Sequence, residues 1–492
     1  MSFDPKISRR SVLGGLAALA VGATAATMPR RARAQAAPNP DRKFLIVVTC
    51  TGGASLVDAM LAVRESECPT ASTLNVYPDA MVQGIEGTPF RVIDQRLDDI
   101  GPLPYSGQAN QSDFVRRHAA EMCVVTYQGT SVNHLVAEKR TLTGNDAWSG
   151  RTLQEICAAT YGQGLPLPNV NMGVGGFIEP GIDVSLPSWA RAEPVTNALT
   201  WPFGLHGSRG LKGAPAQGLI DKARKARAEI ETRSAFDHTF TRSELLALWK
   251  TRREQATQVE AQDLITRLNF VTDSPQTPLH EFGLGSSEDA ALLARTFPLA
   301  ATDPLEAQAA LAYLLIKNGI SVTVTLGPSL SPNVGGQQIV DSPPLAFDFS
   351  HSSHRAAQAI MWSRLLSVAN RLIDLLSAVE YGDGKSYWDH SLMYFASDFG
   401  RSRGRAENAT DFGSGHHINN GALLVSPLVR GNTVLGGVDP ATTLTYGFDP
   451  MTGAPQPGRN MAEAEIFAGI VGALGVDTSG THLPSVPVMS RA

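Results

Sequence analysis

Cysteine is scarce in this chain, and its spacing excludes two common kinds of site. The four cysteines, Cys50, Cys68, Cys123 and Cys157, include no C-x-x-C pair. This excludes the usual thiolate zinc site and the thioredoxin-like redox motif. One or two disulfides remain open if the protein is exported, and the sequence does not pair them. Cys50 and Cys123 lie in apolar runs typical of strands, so we expect buried free thiols.

The chain also lacks a marked excess of either charge. Its 41 Lys and Arg residues against 46 Asp and Glu residues give a net charge of −5, which offers no electrostatic reason to expect a nucleic-acid partner. Apolar residues make up 43% and charged residues 18% of the chain, which excludes a disordered protein. The 492 residues fit two or three domains, or one large α/β domain with insertions.

Beyond the N-terminal region, no segment offers the roughly 18 consecutive apolar residues of a membrane span. Residues 8–13 (SRRSVL) resemble a twin-arginine export signal, and a weakly apolar stretch (12–28) and an Ala-x-Ala cleavage pattern follow. A transmembrane anchor is the alternative, but the stretch is short and rich in Gly and Ala. We therefore expect residues 1–37 to be a signal peptide read by the twin-arginine export machinery. The mature protein is expected to be periplasmic or secreted, and not an integral membrane protein.

Continuous apolar and β-branched runs predict strands buried on both faces of a mostly parallel sheet. These runs are residues 43–49 (KFLIVVT), 121–127 (EMCVVTY), 321–326 (SVTVTL), 391–396 (SLMYFA) and 422–426 (ALLVS). Segments with helical periodicity alternate with them at residues 54–63, 134–142, 153–161, 305–317, 353–381 and 462–474. The alternation predicts a doubly wound α/β fold.

One stretch differs from this pattern. Residues 219–270 are highly charged, helical in period, and free of Gly and Pro. We interpret residues 219–275 as a helical insertion or cap, which divides the α/β domain into a first part with a loop-rich cover (38–218) and a second part (276–492).

In open α/β sheets, ligands bind beyond the carboxyl ends of the strands. The loops of interest therefore begin at Thr49, Tyr127, Leu326, Ala396 and Ser426.

The first two of these loops have both a functional and a structural interpretation. Gly52 and Gly53, which precede Asp58, could leave backbone N–H groups free for an anion, but an ordinary tight turn explains them equally well. Thr130 and Ser131 lie at the start of a helix, where a hydroxyl nucleophile is well placed. Helix capping is the alternative, and we give it about twice the weight.

Two further clusters combine acids with histidines. Asp348, His351 and His354 fall within seven residues before a long helix, and carboxylates with imidazoles are ligands typical of zinc or another divalent metal. The alternative is a polar helix start with a capping side chain. The second cluster follows a strand in a Gly-rich loop and contains Asp398, Arg401, Asp411, His416 and His417. For so polar a loop after a buried strand, a functional role has slightly more weight.

With these motifs the chain resembles a bacterial family of unknown function, mostly exported by the twin-arginine route, in the alkaline phosphatase-like (sulfatase-like) superfamily. The strongest match is residues 391–439, which contain Asp398-Phe399-Gly400-Arg401 and the Gly-rich His loop. Residues 43–58 and 130–143 are similar to the family's opening loop and its His-containing helix. The resemblance implies an alkaline phosphatase-like three-layer sandwich. The family usually carries Asp-x-His after the strand that matches 321–326, and this chain has Gly327-Pro328-Ser329 there.

Two main hypotheses follow. In the first, the protein is a metal-dependent hydrolase of a small anionic phosphate or sulfate ester. A divalent ion (zinc, manganese or calcium) would polarise the ester, Thr130, Ser131 or water would attack it, and Arg401 would hold the anion. The candidate metal ligands are Asp58, Asp348, His351, His354, Asp398, Asp411, His416 and His417. In the second, the protein is a catalytically inactive binding or assembly protein on the same fold, which fits the missing Asp-x-His. A redox partner is disfavoured because the sequence has no nucleotide, haem or iron–sulfur motif.

Overall fold

Strand β1 (Phe44–Thr49) lies at the centre of the fold, and all six of its residues are buried in the computed structural model. The structure describes residues 39–93, 111–144, 150–173, 180–205, 212–213, 215–247, 249–250, 263–328, 333–334, 337–338, 347–382, 384–478, 481 and 483–491. The expected signal peptide (1–37) lies outside them. Among the described residues, no helix combines the length and apolarity that crossing a bilayer requires.

The main sheet is mostly parallel, as predicted. After β1 its strands are β2 (Met122–Gln128), β3 (Asn169–Asn171), β4 (Glu193–Pro194), β5 (Thr323–Leu326), β6 (Ser391–Ala396), β7 (Asn419–Val425) and β8 (Thr433–Leu435). Their order in space is β8-β2-β7-β6-β1-β5-β3-β4. Strand β1 pairs in parallel with β5 and β6. Only β7 runs antiparallel, and it does so to both neighbours, β6 and β2.

Helices cover both faces of the sheet. The described helices are α1 (Gln111–His118), α2 (His134–Glu138, continued by a π-helical turn Lys139–Thr143), α3 (Leu153–Tyr161), α4 (Gln217–Thr232), α5 (Ala235–Thr239), α6 (Leu264–Leu268), α7 (Ala290–Thr296), α8 (Pro304–Lys317), α9 (His354–Ser377) and α10 (Glu463–Ala473). Ile46 and Val48 of β1 pack in one core with α8 and α9. Leu45 and Val47 pack in a second core with α3 and α10. This gives a three-layer α/β arrangement, and burial on both faces explains the continuous apolar run.

Short strand pairs and 3₁₀ turns decorate the sheet. The described pairs are Val82–Gly84 with Arg91–Ile93, Asn333–Val334 with Gln337–Gln338, Glu380–Gly382 with Lys385–Ser386, Gly400–Arg401 with His416–His417, and Gly437–Val438, Thr445–Phe448 and Pro455–Gln456 together. A 3₁₀ turn at Phe347–His351 directly precedes α9. Two of these elements, Gly400–Arg401 with His416–His417 and Phe347–His351, carry five of the eleven predicted site residues.

The predicted helix at residues 54–63 is wrong. The segment forms a series of turns, and its first N–H groups donate to side chains that are distant in sequence. Ala54 donates to Ser397 Oγ (2.8 Å) and Ser55 to Gln358 Oε1 (2.9 Å). Because tertiary contacts satisfy these N–H groups, the chain does not need helical hydrogen bonds here.

The loop that begins at Ser426 lies beside the amino ends of the parallel strands, whereas the other candidate loops lie beyond their carboxyl ends. Strand β7 is antiparallel to β6, so its amino end at Asn419 lies beside the carboxyl ends of β6 and β2. The His416–His417 pair precedes this amino end and therefore lies beside the carboxyl ends of β6 and β2, with the other candidate loops.

Both predicted parts of the α/β domain contribute to one sheet. Strands β1 to β4 come from residues 38–218 and β5 to β8 from 276–492, and Pro40–Ala492 form one compact unit. Between them, residues 217–247 are largely helical, and residues 251–262 lie outside the described chain. All four cysteines are buried and free, which confirms the expectation for Cys50 and Cys123.

Candidate metal centre

Three imidazoles and a carboxylate converge at the edge of the sheet where β1, β2 and β6 end. His351 Nε2 lies 2.8 Å from His416 Nε2. Asp348 Oδ1 is 3.4 Å from His351 Nε2, 3.5 Å from His416 Nε2 and 3.6 Å from His134 Nε2. We call these four residues the histidine cluster. They come from three separate parts of the chain, and the antiparallel direction of β7 brings His416 to this end of the sheet.

Local structure explains how each element presents its side chain. His134 is the first residue of α2, which Asn133 caps by accepting a hydrogen bond from the Val136 N–H. Asp348 and His351 are three residues apart on the Phe347–His351 turn, so their side chains share one face of it. His416 pairs with Arg401 in a short antiparallel bridge.

Two outer hydrogen bonds orient the rings of the histidine cluster. His134 Nδ1 lies 2.7 Å from Asp398 Oδ2, and His416 Nδ1 donates to the Val132 carbonyl oxygen at 2.9 Å. Each bond occupies Nδ1 and leaves Nε2 directed at the cluster. The hydrogen bond to Asp398 also raises the pKa of His134 above its usual value. The His416 ring stacks on Phe399, with centroids 3.9 Å apart, which further restricts its orientation.

Asp398 is held from the opposite side by backbone N–H groups. It is completely buried, and Gly53 N–H donates to Oδ1 at 2.9 Å while Gly52 N–H lies 3.2 Å from both oxygens. The sequence left an anion-binding turn and an ordinary tight turn open for this double glycine, and in the structure its N–H groups bind a carboxylate of the protein itself. Both glycines have positive φ, 98° for Gly52 and 80° for Gly53, a conformation that other residues rarely adopt.

The donor set fits a divalent metal ion. Ligand atoms of His134, Asp348 and His416 lie within 4.8 Å of one another, as do those of His134, Glu138 and Asp398. Zinc with tetrahedral bonds of ~2.0–2.1 Å requires ligand separations of roughly 3.3 Å, which the histidine cluster approaches. Either group could hold an ion. Glu138 is buried, and burial together with the nearby Asp398 charge raises its pKa to about 7.

Arg401 has a structural environment rather than the exposed one expected of an anion-binding group. Its side chain is only 1% exposed. It donates to the carbonyl oxygens of Gly52 and Ser414 and, at 3.0 Å, to Asp348 Oδ1. Its donors hold backbone and the cluster carboxylate, so the guanidinium is directed away from solvent.

Asp58 and His354 belong to a separate, fully buried network behind the histidine cluster. Asp58 Oδ2 accepts from Arg403 (2.6 Å) and from His354 Nε2 (3.1 Å). Its Oδ1 accepts from the side chains of Asn75 (2.7 Å) and Tyr77 (2.8 Å). Four donors occupy this carboxylate, and the arrangement serves as a structural ion pair linking α9 to two loops.

The remaining predicted ligands lie around the histidine cluster and have other partners. Asp411 accepts a hydrogen bond from Ser353 Oγ at 2.8 Å. His417 Nδ1 accepts one from the Asn419 N–H at 3.0 Å. Burial lowers the pKa of His417. These contacts stabilise the loop before β7 and the start of α9.

The two predicted hydroxyl nucleophiles are also engaged elsewhere. Thr130 Oγ1 donates to Glu463 (3.1 Å) and accepts from Arg140. Ser131 Oγ accepts from the Asn133 N–H at 3.1 Å. The hydrogen bond of Ser131 is that of a local turn. Both hydroxyls therefore have structural partners, as the non-catalytic interpretation of this segment predicts.

The metal ligands predicted from the sequence include neither His134, which lies in the segment similar to the family's His-containing helix, nor Glu138. Both lie in α2, four residues apart. The signal that could have found them is this His-x-x-x-Glu spacing, because residues i and i+4 of a helix share one face.

Comparisons with known proteins add little. No protein-family model matches the chain, and no curated protein does. A solved structure titled "Crystal structure of Ps i-CgsB" aligns over 91% of this chain and 75% of its own, with 11% identity and a TM-score of 0.26. That similarity carries no argument about fold or function.

Proposed function

We propose that the protein is a metal-dependent ester hydrolase whose centre is the histidine cluster, with zinc as the first candidate ion. One observation carries the proposal: the Nε2 atoms of His134, His351 and His416 each lie 3.4–3.6 Å from Asp348 Oδ1, and those of His351 and His416 lie 2.8 Å apart. Imidazole nitrogens with one carboxylate are a ligand set typical of zinc.

The exposure of the cluster supports catalysis over a purely structural ion. The His351 side chain is 47% exposed and that of Asp348 36%, so one side of the cluster is open to solvent. Structural zinc sites are closed, whereas catalytic sites keep a position for water or substrate. A bound ion there would polarise an ester and lower the pKa of a bound water.

The surrounding residues would act by orientation. Asp398 holds His134 through Nδ1, the Val132 carbonyl holds His416, and Arg401 holds Asp348. Since the hydroxyls of Thr130 and Ser131 have other partners, we propose water as the attacking group.

The wider setting is also part of the proposal. We propose an alkaline phosphatase-like version of the three-layer fold, export by the twin-arginine route to the periplasm or beyond, and a small phosphate or sulfate ester as substrate. The Asp398-Phe399-Gly400-Arg401 motif and residues 8–13 support this.

A catalytically inactive binding protein on the same fold is the second candidate. The buried position of Arg401 favours it, because this guanidinium is 1% exposed and therefore does not contact a substrate anion.

Metal analysis and hydrolysis assays test the proposal together. The purified full chain, loaded with zinc and desalted, should retain about one ion and hydrolyse p-nitrophenyl phosphate or sulfate. His416→Ala should weaken zinc binding by more than the roughly 10- to 100-fold cost of losing an outer hydrogen-bonding partner. His280→Ala is the matched control, because His280 is exposed and paired with Asp273, and it should change neither result. Zinc retention without hydrolysis would favour the binding protein, and no zinc retention would overturn the metal centre.

A further inference from the structure

Two large apolar side chains are exposed immediately beside the histidine cluster. Leu135 is 67% exposed and Val132 44%, and the two residues lie on either side of His134 in the sequence. Among the described residues, the apolar cores include neither of them. Exposed apolar groups that adjoin one another at a polar site mark a ligand-binding surface more often than isolated ones do.

The backbone around His134 places both side chains next to the cluster. The Val132 carbonyl oxygen accepts the hydrogen bond from His416 Nδ1 at 2.9 Å, so Val132 contacts a member of the cluster directly. Leu135 is the second residue of α2, and helical side chains tilt towards the N-terminus of their helix. Leu135 therefore projects towards the end of α2 that carries His134 and Val132.

Helix α2 directs its two exposed apolar residues to different sides. His134 and Glu138 share the face that meets the sheet edge, and Glu138 is buried there. With 3.6 residues per turn, Leu135 lies about 100° from His134 around the helix and Val136 about 200°. Val136, which is 37% exposed, therefore points away from the cluster, whereas Leu135 borders it.

The cation that contacts the cluster is not available to a substrate. Arg401 is 1% exposed and donates to the carbonyl oxygens of Gly52 and Ser414 as well as to Asp348. In the proposed function, the ester oxygens bind at the cluster, so the rest of the substrate meets the side chains around it. Binding sites commonly combine a few polar groups, which fix orientation, with apolar walls that cover the remainder of the ligand.

We propose that the substrate is a monoester of an apolar alcohol or phenol, whose organic group lies against Leu135 and Val132. The inference rests on the proposed hydrolase function and adds the class of its substrate. Apolar surface that leaves water against these two side chains contributes binding free energy in proportion to its area. A short or hydroxylated group gains little from them.

A homologous series of ligands tests the proposal with the zinc-loaded full chain. The hexyl and ethyl monoesters of phosphate and of sulfate have leaving groups of similar basicity and differ chiefly in apolar surface. The hexyl ester should have a kcat/KM at least tenfold higher, a modest expectation because one enclosed methylene is worth roughly 10- to 200-fold. Hexylphosphonate and hexanesulfonate, which resist hydrolysis, should likewise bind at least tenfold tighter than their ethyl counterparts in calorimetric titrations.

Two neighbouring substitutions locate the effect. Leu135→Ser should reduce the preference for hexyl over ethyl to less than threefold in both measurements, while zinc retention stays unchanged. Val136→Ser is the matched control, because Val136 is also apolar and exposed on α2 but points away from the cluster. It should keep the preference of the parent. Circular dichroism verifies folding, which these exposed substitutions should leave intact.

The outcomes separate this inference from the function on which it rests. Hydrolysis of hexyl and ethyl esters at equal rates would overturn the apolar site and leave the hydrolase standing. Preferential binding of the hexyl phosphonate or sulfonate without hydrolysis of any ester would support the apolar site and overturn the hydrolase. Failure of all four inert ligands to bind, or an equal loss of preference in Leu135→Ser and Val136→Ser, would also overturn the apolar site.

Discussion

Replacing Asp58 with Asn should destabilise the protein strongly without removing its metal site. The Asp58 carboxylate is buried and accepts from Arg403 at 2.6 Å, from His354 at 3.1 Å and from two neutral donors. Breaking a buried ion pair by removing one partner costs about 3–5 kcal/mol, because the other charge is left uncompensated. We expect a loss of this size in the free energy of unfolding at pH 7, measured by urea denaturation.

The pH dependence provides an independent check. Burial alone would raise the pKa of Asp58, but Arg403 and His354 outweigh it and hold the pKa well below its usual range. A carboxyl with a depressed folded pKa stabilises the protein above its unfolded pKa of about 3.9 and loses this contribution as the pH falls further. The difference between the parent and Asp58→Asn should therefore be constant above about pH 5 and shrink below pH 4.

The matched control is Glu67→Gln. Glu67 pairs with Arg91 at 2.7 Å, but both side chains are partly exposed, 27% and 39%, so the cost should stay under about 1 kcal/mol. A loss below 1 kcal/mol for Asp58→Asn at pH 7, or a difference that does not change with pH, would refute the reasoning. Loss of zinc from the folded variant would return Asp58 to the candidate ligands.

Three further predictions concern the surroundings of the histidine cluster. Asp398→Asn should weaken zinc affinity about 10- to 100-fold at unchanged stoichiometry, which titration with a competing chelator measures. Gly53→Ala should cost more than about 1 kcal/mol, because its φ is 80° and the added Cβ would lie 2.5 Å from Arg401 Nε; equal urea midpoints would contradict this. Burial raises the pKa of Glu138 to about 7, so in metal-free protein its ionisation costs stability as the pH rises from about 4.3 towards 7. Glu138→Gln should therefore unfold at higher urea than the parent at pH 8, with the gain absent at pH 4.

Much of the fold could be predicted from local sequence. The apolar run that forms β6 was predicted with the same bounds, Ser391–Ala396, and α3 likewise as Leu153–Tyr161. Both succeed because burial on two sheet faces, and an apolar stripe with a Thr152 cap, leave a local pattern.

The helix predicted after β1, at residues 54–63, was wrong because distant contacts decide the structure of this segment. Its residues favour a helix, yet the N–H groups of Ala54 and Ser55 donate to Ser397 and Gln358. These partners lie about 300 residues away, and no local pattern reveals them. The antiparallel direction of β7 is also set by its pairing with β6 and β2, which no local pattern reveals.

The sequence by itself determined which chemistry is available: acids and imidazoles in loops that follow buried strands. Only the tertiary structure decided which of them meet, because the same residue types serve different ends according to their partners. His351 and His416 face each other across 2.8 Å, while His354, three residues from His351, is enclosed with Asp58 and Arg403. A carboxylate or imidazole becomes a candidate ligand or a structural ion pair through burial and the charges around it, and both depend on contacts between distant parts of the chain.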